Sequence, residues 1–174
     1  METTEKTTET ERPENFRRVS RLLESLAHPH APQFLAVAAR TSQEAADALR
    51  VSVGQIAKSV IFRRKSDDAA VLVITSGDKR VDEKKVAVIV GAIGRADAEF
   101  VKRATGFTIG GVSPVGHATP PVSLIDRELF RFDEIWAAAG HPNGVFRLSP
   151  DQLVALTSAP VADVVQAAVG TTAA

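Results

Sequence analysis

Residues 54–62, Gly-Gln-Ile-Ala-Lys-Ser-Val-Ile-Phe, constrain the fold more than any other stretch of the chain. They follow a helix-like segment and read as a β-strand, because Val60, Ile61 and Phe62 are branched or aromatic residues that pack on a pleated surface. Side chains of a strand alternate, so Ile56, Lys58, Val60 and Phe62 share one face while Ala57, Ser59 and Ile61 share the other. Lys58 therefore points where large apolar residues point. An ammonium group is costly there unless it stands at the mouth of a cavity or meets an anion. Taken alone, the pattern is met more simply by an edge-strand lysine that discourages aggregation, or by a stem that snorkels to water. The rest of the chain shifts that balance.

With 174 residues there is room for one domain with a real core. Lys plus Arg number 21 and Asp plus Glu 21, so the net charge is zero. That argues against a protein that coats nucleic acid through a general field, but leaves room for a local patch gripping a few phosphates. The absence of cysteine excludes disulfides, thiolate metal sites and a cysteine nucleophile. No apolar run reaches membrane-spanning length, and the polar start has no signal-peptide core, so a soluble cytoplasmic protein is expected.

Residues 1–12 are rich in Thr and Glu and read as a disordered tail. Pro13 can open a helix to residue 27, with Phe16, Val19, Leu22, Leu23 and Leu26 on one face and Arg17, Arg18 and Arg21 on the other. The His28-Pro29-His30 loop follows and is read as a plain connection. Residues 34–37 suit a short strand. Thr41-Ser42-Gln43-Glu44 is a capping box that opens a second helix. After the Lys58 strand, residues 63–69 fit a hairpin turn and residues 70–76 (AVLVITS) a strand buried on both faces. Asp82 and Asp97 are N-caps for two further helices, ended by Gly91 and Gly106; Val86, Ile89 and Val90 are the expected packed face of the first. Strands are expected at 120–126, 135–139 and 145–148, the last two forming a hairpin around residues 140–144. Ser149-Pro150-Asp151-Gln152 is a second capping box, with Pro at the first helical position. The expected fold is α+β: a curled, barrel-like mixed sheet with surrounding helices. Residues 13–40 form an N-terminal helix and lead-in, 41–165 the main domain, and 166–174 a frayed end.

Several chemistries are excluded by what is missing. There is no phosphate-binding G-x-x-x-x-G-K-[ST] and no G-x-G-x-x-G after a strand. Ser113 is a poor nucleophile, because Val115 stands where a nucleophile elbow needs Gly and Pro114 lacks the N–H that would form the oxyanion hole. Asp67, Asp68, Asp82 and Glu83 are accounted for by turns and caps. What remains is Lys58, a loop at 106–117 holding four glycines, and His141 in a tight Gly-His-Pro turn. Backbone N–H donors stabilise a tetrahedral oxyanion, and a lysine binds phosphate, carboxylate or developing negative charge. Together they suit attack of water on an activated ester.

Four motifs stand in order: Val53-Gly54-Gln55-Ile56-Ala57-Lys58-Ser59-Val60-Ile61-Phe62; Ser76-Gly77-Asp78-Lys79-Arg80-Val81-Asp82; Thr105-Gly106-Phe107 with Gly110-Gly111-Val112-Ser113-Pro114-Val115-Gly116; and Ala139-Gly140-His141-Pro142. In this they resemble the YbaK/ProX aminoacyl-tRNA deacylases, which include the editing domain inserted in bacterial prolyl-tRNA synthetases. The resemblance spans about residues 41–157. It implies a compact α+β fold and hydrolysis of the ester joining a wrong amino acid to a tRNA 3′ end. The essential lysine falls on Lys58, and the pocket loops fall on residues 110–114 and on Gly140, His141 and Pro142. The implied catalytic set is Lys58, Gly110, Gly111, Gly140 and His141. Ser59, Phe107, Val112, Ser113, Pro114, Pro142 and Arg80 are the implied substrate-binding residues, and no metal or cofactor is implied. Arg50 stands where the family often has Gly, Ser59 where members specialised for alanine often have Asn, and helix 13–27 lies outside the match.

The leading expectation is a free-standing deacylase acting in trans on tRNA mischarged with a small amino acid such as Cys, Ala, Ser or Thr. Its partners would be the mischarged 3′ end and an aminoacyl-tRNA synthetase. Small side chains differ too little in binding energy for a synthetase to reject them unaided, so a second hydrolytic sieve is needed. The alternative is a non-catalytic module that recognises a tRNA 3′ end, an aminoacyl-nucleotide-like ligand or a protein. A role on tRNA predicts a basic patch from Arg63, Arg64, Lys65, Lys79, Arg80 and Lys84.

Overall fold

The run Ala70–Ser76 has no polar face to give to water, and all seven residues are buried. In the computed structural model, which describes residues 12–167, this run is strand β3 in the middle of one mixed sheet. Leu72 and Ile74 enter the larger apolar cluster, while Val71 and Val73 enter a second cluster on the opposite face. Such two-sided burial requires cover on both sides, which the helices and loops supply.

The elements follow in the order α1 (Glu14–Ser25), β1 (Gln33–Phe34), α2 (Ser42–Leu49), a 3-10 turn (Val53–Gln55), β2 (Ile56–Arg64), β3, α3 (Glu83–Val90), β4 (Ile93–Arg95), α4 (Ala98–Thr105) and β5 (Val122–Asp126). A second 3-10 turn (Arg127–Arg131), β6 (Ile135–Ala138), β7 (Gly144–Leu148), α5 (Pro150–Thr157) and β8 (Val161–Ala162) complete the described chain. The strand order is β1-β7-β6-β2-β3-β5-β8, with β4 also on β2. Antiparallel hairpins β2–β3 and β6–β7 are joined by parallel pairings of β6 with β2 and of β5 with β3. The fold is α+β, as expected, and the sheet is curled but open rather than closed into a barrel.

Caps explain where the helices begin. Thr41 Oγ1 accepts from the Glu44 N–H, and the Glu44 carboxylate accepts from the N–H of Arg40. Asp82 and Asp97 cap α3 and α4 through their carboxylates. Ser149 and Gln152 form the reciprocal box at α5, with Pro150 as its first residue. Helix α1 delivers Phe16, Val19 and Leu23 to the larger cluster.

The structure corrects four local expectations. β1 is only Gln33–Phe34, and Val37 is exposed instead of extending it. β4 and β8, three and two residues long, are too short to show a period and take their conformation from β2 and β5. On α3 only Val86 is fully packed, and Ile89 faces solvent. Leu26 is half exposed beyond the end of α1, while Arg18, expected on the solvated face, lies over the ring of Phe107 at 4.8 Å. Residues 1–11 of the expected tail and 168–174 of the expected frayed end lie outside the described residues.

Because β3 is the strand both clusters share, Leu72→Ala should lower stability by about 2–5 kcal/mol. Urea denaturation followed by circular dichroism reads this as a fall in midpoint at unchanged slope.

Candidate active site

Strand β2 pairs with β3 from Ala57 to Arg63 without interruption. Its other edge is divided. β6 takes Ile56 and Ala57, and β4 takes Phe62 to Arg64. On this edge no strand among the described residues pairs with residues 58–61, and these four line a cavity of about 740 Å³. That volume falls within the range of small-molecule sites. The opening in the sheet is the candidate site.

Lys58 stands at the start of this opening, between two apolar clusters. Ile56 packs with Ala45, Ala46, Trp136 and Val145, while Val60 and Phe62 pack against the second cluster of the β3 face. The half-buried ammonium donates to the carbonyl of Lys79 at 3.3 Å. Burial first, and then the charge of Arg80, push its pKa below the ordinary lysine value. Among the described residues no carboxylate lines the cavity. The lysine therefore lacks an acidic partner there, and an anionic or carbonyl oxygen of a ligand would supply the missing acceptor.

The Gly-rich loop and the Gly-His-Pro turn form the opposite wall. They meet at Gly111, where a Cβ would lie 2.9–3.1 Å from the backbone of His141, so only glycine permits this approach. Gly140 has φ +83°, and a Cβ there would fall 2.6 Å from the carbonyl oxygen of Asn15. Gly110, Val112, His141 and Pro142 line the cavity. His141 is fixed on two sides: its ring stacks on Phe34 at 5.3 Å, and its Nδ1 accepts from the N–H of Asn143 at 3.1 Å. Nε2 then carries the proton. Burial and the nearby Arg40 charge lower its pKa, so at neutral pH it is a neutral donor rather than a general acid.

Helix α1 braces both walls from behind. The Asn15 amide donates to the carbonyl of Gly106 at 3.0 Å, and Phe16 packs edge-on against Phe34 at 5.2 Å. His117 donates through Nε2 to the carbonyl of Ser113 at 2.6 Å and meets the Phe107 ring edge-on.

The expected residues are thus only partly brought together at the cavity. Lys58, Ser59, Gly110, Val112, His141 and Pro142 line it; Gly111 and Gly140 set its wall without lining it. Phe107, Ser113 and Pro114 do not line it. Phe107 is fully buried in the main cluster, and the Ser113 hydroxyl accepts from the N–H of Val115, so both hold the loop's shape. Arg80 stays outside the lining and acts on Lys58 through its charge. The expected basic patch also divides, because Arg63 pairs with Asp68 and Arg64 forms a two-pronged pair with Asp67. Arg40 and Ile109 line the cavity without having been expected. Arg40 had no local signature; its position before the Thr41 cap shows only once α2 packs. The His28-x-His30 pair is a held turn: His28 Nε2 donates to the carbonyl of Arg147, whose guanidinium donates to His30 Nδ1.

Residues 36–156 match the aminoacyl-tRNA editing domain family. The chain belongs to this family, whose members are of the YbaK/ProX type. It is 36% identical over 114 residues to YwhH of Bacillus subtilis, covering 65% of this chain and 72% of that protein. It is 38% identical over 109 residues to a proline–tRNA ligase of Lactobacillus acidophilus, covering 62% of this chain but only 19% of the ligase. Among solved structures, one described as a candidate trans-editing enzyme for prolyl tRNA synthetase superposes with a TM-score of 0.83 at 40% identity, covering 90% of this chain and 99% of the other. The hypothetical protein APE2540 superposes with a TM-score of 0.80 at 29% identity, over 86% of this chain and 99% of the other. Family membership supports a deacylase-type role. Among the described residues no helix is long and apolar enough to cross a membrane.

Two outcomes follow from this geometry. Gly111→Ala should cost about 1–3 kcal/mol and displace the His141 ring resonances in NMR spectra; an unchanged melting curve with unchanged resonances would contradict the contact. Arg80→Gln removes the like charge beside Lys58, so the ammonium pKa should move up toward the ordinary lysine value. A Lys58-resolved NMR titration reads that shift.

Proposed function

We propose that this protein is a trans-acting aminoacyl-tRNA deacylase that removes a small amino acid, of the size of Cys, Ala, Ser or Thr, from a mischarged tRNA. The observation that carries this reading is the opening in β2. There a half-buried lysine faces a cavity with no carboxylate among the described residues of its lining, opposite the wall made by Gly110, Gly111 and His141. The family and the neighbour described as acting on behalf of prolyl-tRNA synthetase support it. A synthetase that releases such mischarged tRNA is the natural partner.

In this reading Lys58 holds the terminal ribose-phosphate or the substrate carbonyl. The backbone N–H of Gly110 and the Nε2–H of His141, both in the cavity lining, orient the ester and meet the oxyanion as it forms, while Gly111, whose N–H is held by the Thr108 carbonyl, and Gly140 shape the wall behind them. Water adds to the carbonyl carbon, and the bond from that carbon to the ribose oxygen breaks. The proton lost by the water ends on the ribose oxygen. With no carboxylate among the described residues that line the cavity, the water is activated by the substrate's own hydroxyl or thiol. Small apolar side chains in the lining, such as Ala57, Val101 and Val112, favour a small acyl group.

Single-turnover deacylation of a panel of mischarged tRNAs tests the proposal. Wild type should cleave at least one small aminoacyl ester, and Lys58→Ala should slow that cleavage by about 10²-fold or more. Equal rates for the two proteins would sink the assignment of Lys58. Tight binding of an aminoacyl-nucleotide analogue with no turnover of any ester would instead favour a non-catalytic recognition module.

A further inference from the structure

An RNA whose terminal nucleotide occupies the β2 cavity must pass its preceding nucleotides over one rim of that cavity. Beyond the Phe34–His141 stack lies a second groove of about 830 Å³, between α1 and the segment leading into β1. Phe34 lines this groove while His141 lines the cavity, and the two rings are 5.3 Å apart. The cavity and the groove thus each present one ring of the same aromatic pair.

We propose that this groove is the binding track for the single-stranded RNA that immediately precedes the 3′-terminal nucleotide. Arg17 and Arg21 would take its phosphates and Phe34 would stack one of its bases. The inference rests on the deacylase reading and adds the path of the substrate to it.

The chemistry of the groove matches single-stranded RNA, which needs a cationic rim for the backbone and an aromatic or apolar floor for the bases. Phe16, Leu23 and Phe34 line the groove together with three arginines, Arg12, Arg17 and Arg21, against the one carboxylate of Glu24. The ring of Phe34 is already used as a stacking surface: the Arg12 guanidinium sits over it at 4.3 Å. A base arriving there would exchange one planar cation for another flat partner.

The charges are also available. Arg17 and Arg21 share the single carboxylate of Glu14, at 3.3 and 3.0 Å, so two positive charges meet one negative. Glu14 and Arg21 are mostly exposed, and such surface pairs give way readily to a phosphate. Arg12 has no ion pair among the described residues. By contrast, Arg63 and Arg64 of the other expected patch are already taken by Asp68 and Asp67. In a chain of zero net charge the grip on RNA has to be local, and α1 concentrates it beside the cavity.

The test compares two substrates in the full chain: a mischarged tRNA, and the same amino acid esterified to adenosine, which lacks any preceding nucleotide. The variant is Arg17→Glu with Arg21→Glu, checked for an unchanged far-UV spectrum and melting curve. The expected result is a rise in KM for the tRNA of about tenfold or more at unchanged kcat, with kcat/KM for the adenosine ester unchanged. The slope of log KM against log salt should flatten by about 1.4, about 0.7 for each of two phosphates on a single strand. An unchanged KM and salt slope for the tRNA would overturn the track, as would an equal loss on both substrates. A loss carried instead by Lys65→Glu with Lys84→Glu would place the RNA on the other side. If wild type cleaves neither substrate, the deacylase reading fails separately. Fluorescence-anisotropy binding of an uncharged RNA stem-loop with a single-stranded 3′ end then decides the track alone, which stands if the double variant weakens binding and falls if it does not.

Discussion

The unequal sharing of one strand edge organises this molecule. β2 is long enough for β6 and β4 to pair with opposite ends of its free edge, and neither reaches the middle. A gap in a sheet is normally a defect, since an unpaired strand edge invites aggregation. Here loops and α2 surround the gap, so the opening becomes a cavity rather than an exposed edge. The arrangement also explains how a lysine can lie on an apolar face. Lys58 falls between the cluster around Ile56 and the cluster around Val60, where the sheet itself leaves space.

The opposite wall depends on backbone proximity more than on side chains. Two loops distant in sequence touch at Gly111 and the His141 backbone, at a distance that leaves no room for a Cβ. Such contact holds only if both loops are braced from outside, and α1 does this at several points. Asn15 bonds to Gly106, its carbonyl packs under Gly140, and Phe16 supports Phe34 beneath His141. The helix lies outside the residues that match the family, yet it is built into the same core through Phe16, Val19 and Leu23. Its apolar face supports the site, and its arginines border the groove beside it.

The legible parts of the fold were those with local causes. The buried run of β3, the caps at Thr41, Asp82, Asp97 and Ser149, and the glycine stops after α3 and α4 are each set by residues close in the chain. β4 and β8 were not legible, because two or three residues carry no period and become strands only by pairing with β2 and β5. The site divides in the same way. Lys58, Gly110, His141 and Pro142 could be named from their motifs and do line the cavity. Phe107 and Ser113 sit in the same motif but turn inward, since the loop needs an anchor in the core as well as a face toward a ligand. Arg40 enters from a segment whose own sequence says nothing of the cavity, and Arg18 leaves the solvated face because Phe107 offers its ring.

The electrostatics explain how a chain with no net charge can still favour an anionic ligand. Arg40 and Lys58 line the cavity, Arg80 acts on Lys58 through its charge, and no carboxylate among the described residues lines the same space. The acidic residues are spent elsewhere: Asp67 and Asp68 on the β2–β3 turn, Asp82 and Asp97 on helix caps, Asp163 on Lys85. Separation of the two signs thus creates a field at one place without a surplus overall. The same field acts on the site's own groups. Burial first, and this field second, disfavour the charged form of Lys58 and of His141, so the histidine is held neutral as an Nε2–H donor while an incoming oxygen would lower the energy of the lysine cation. An anionic group placed beside Lys58 would offset the like charge of Arg80, so the cavity favours ligands that carry negative charge.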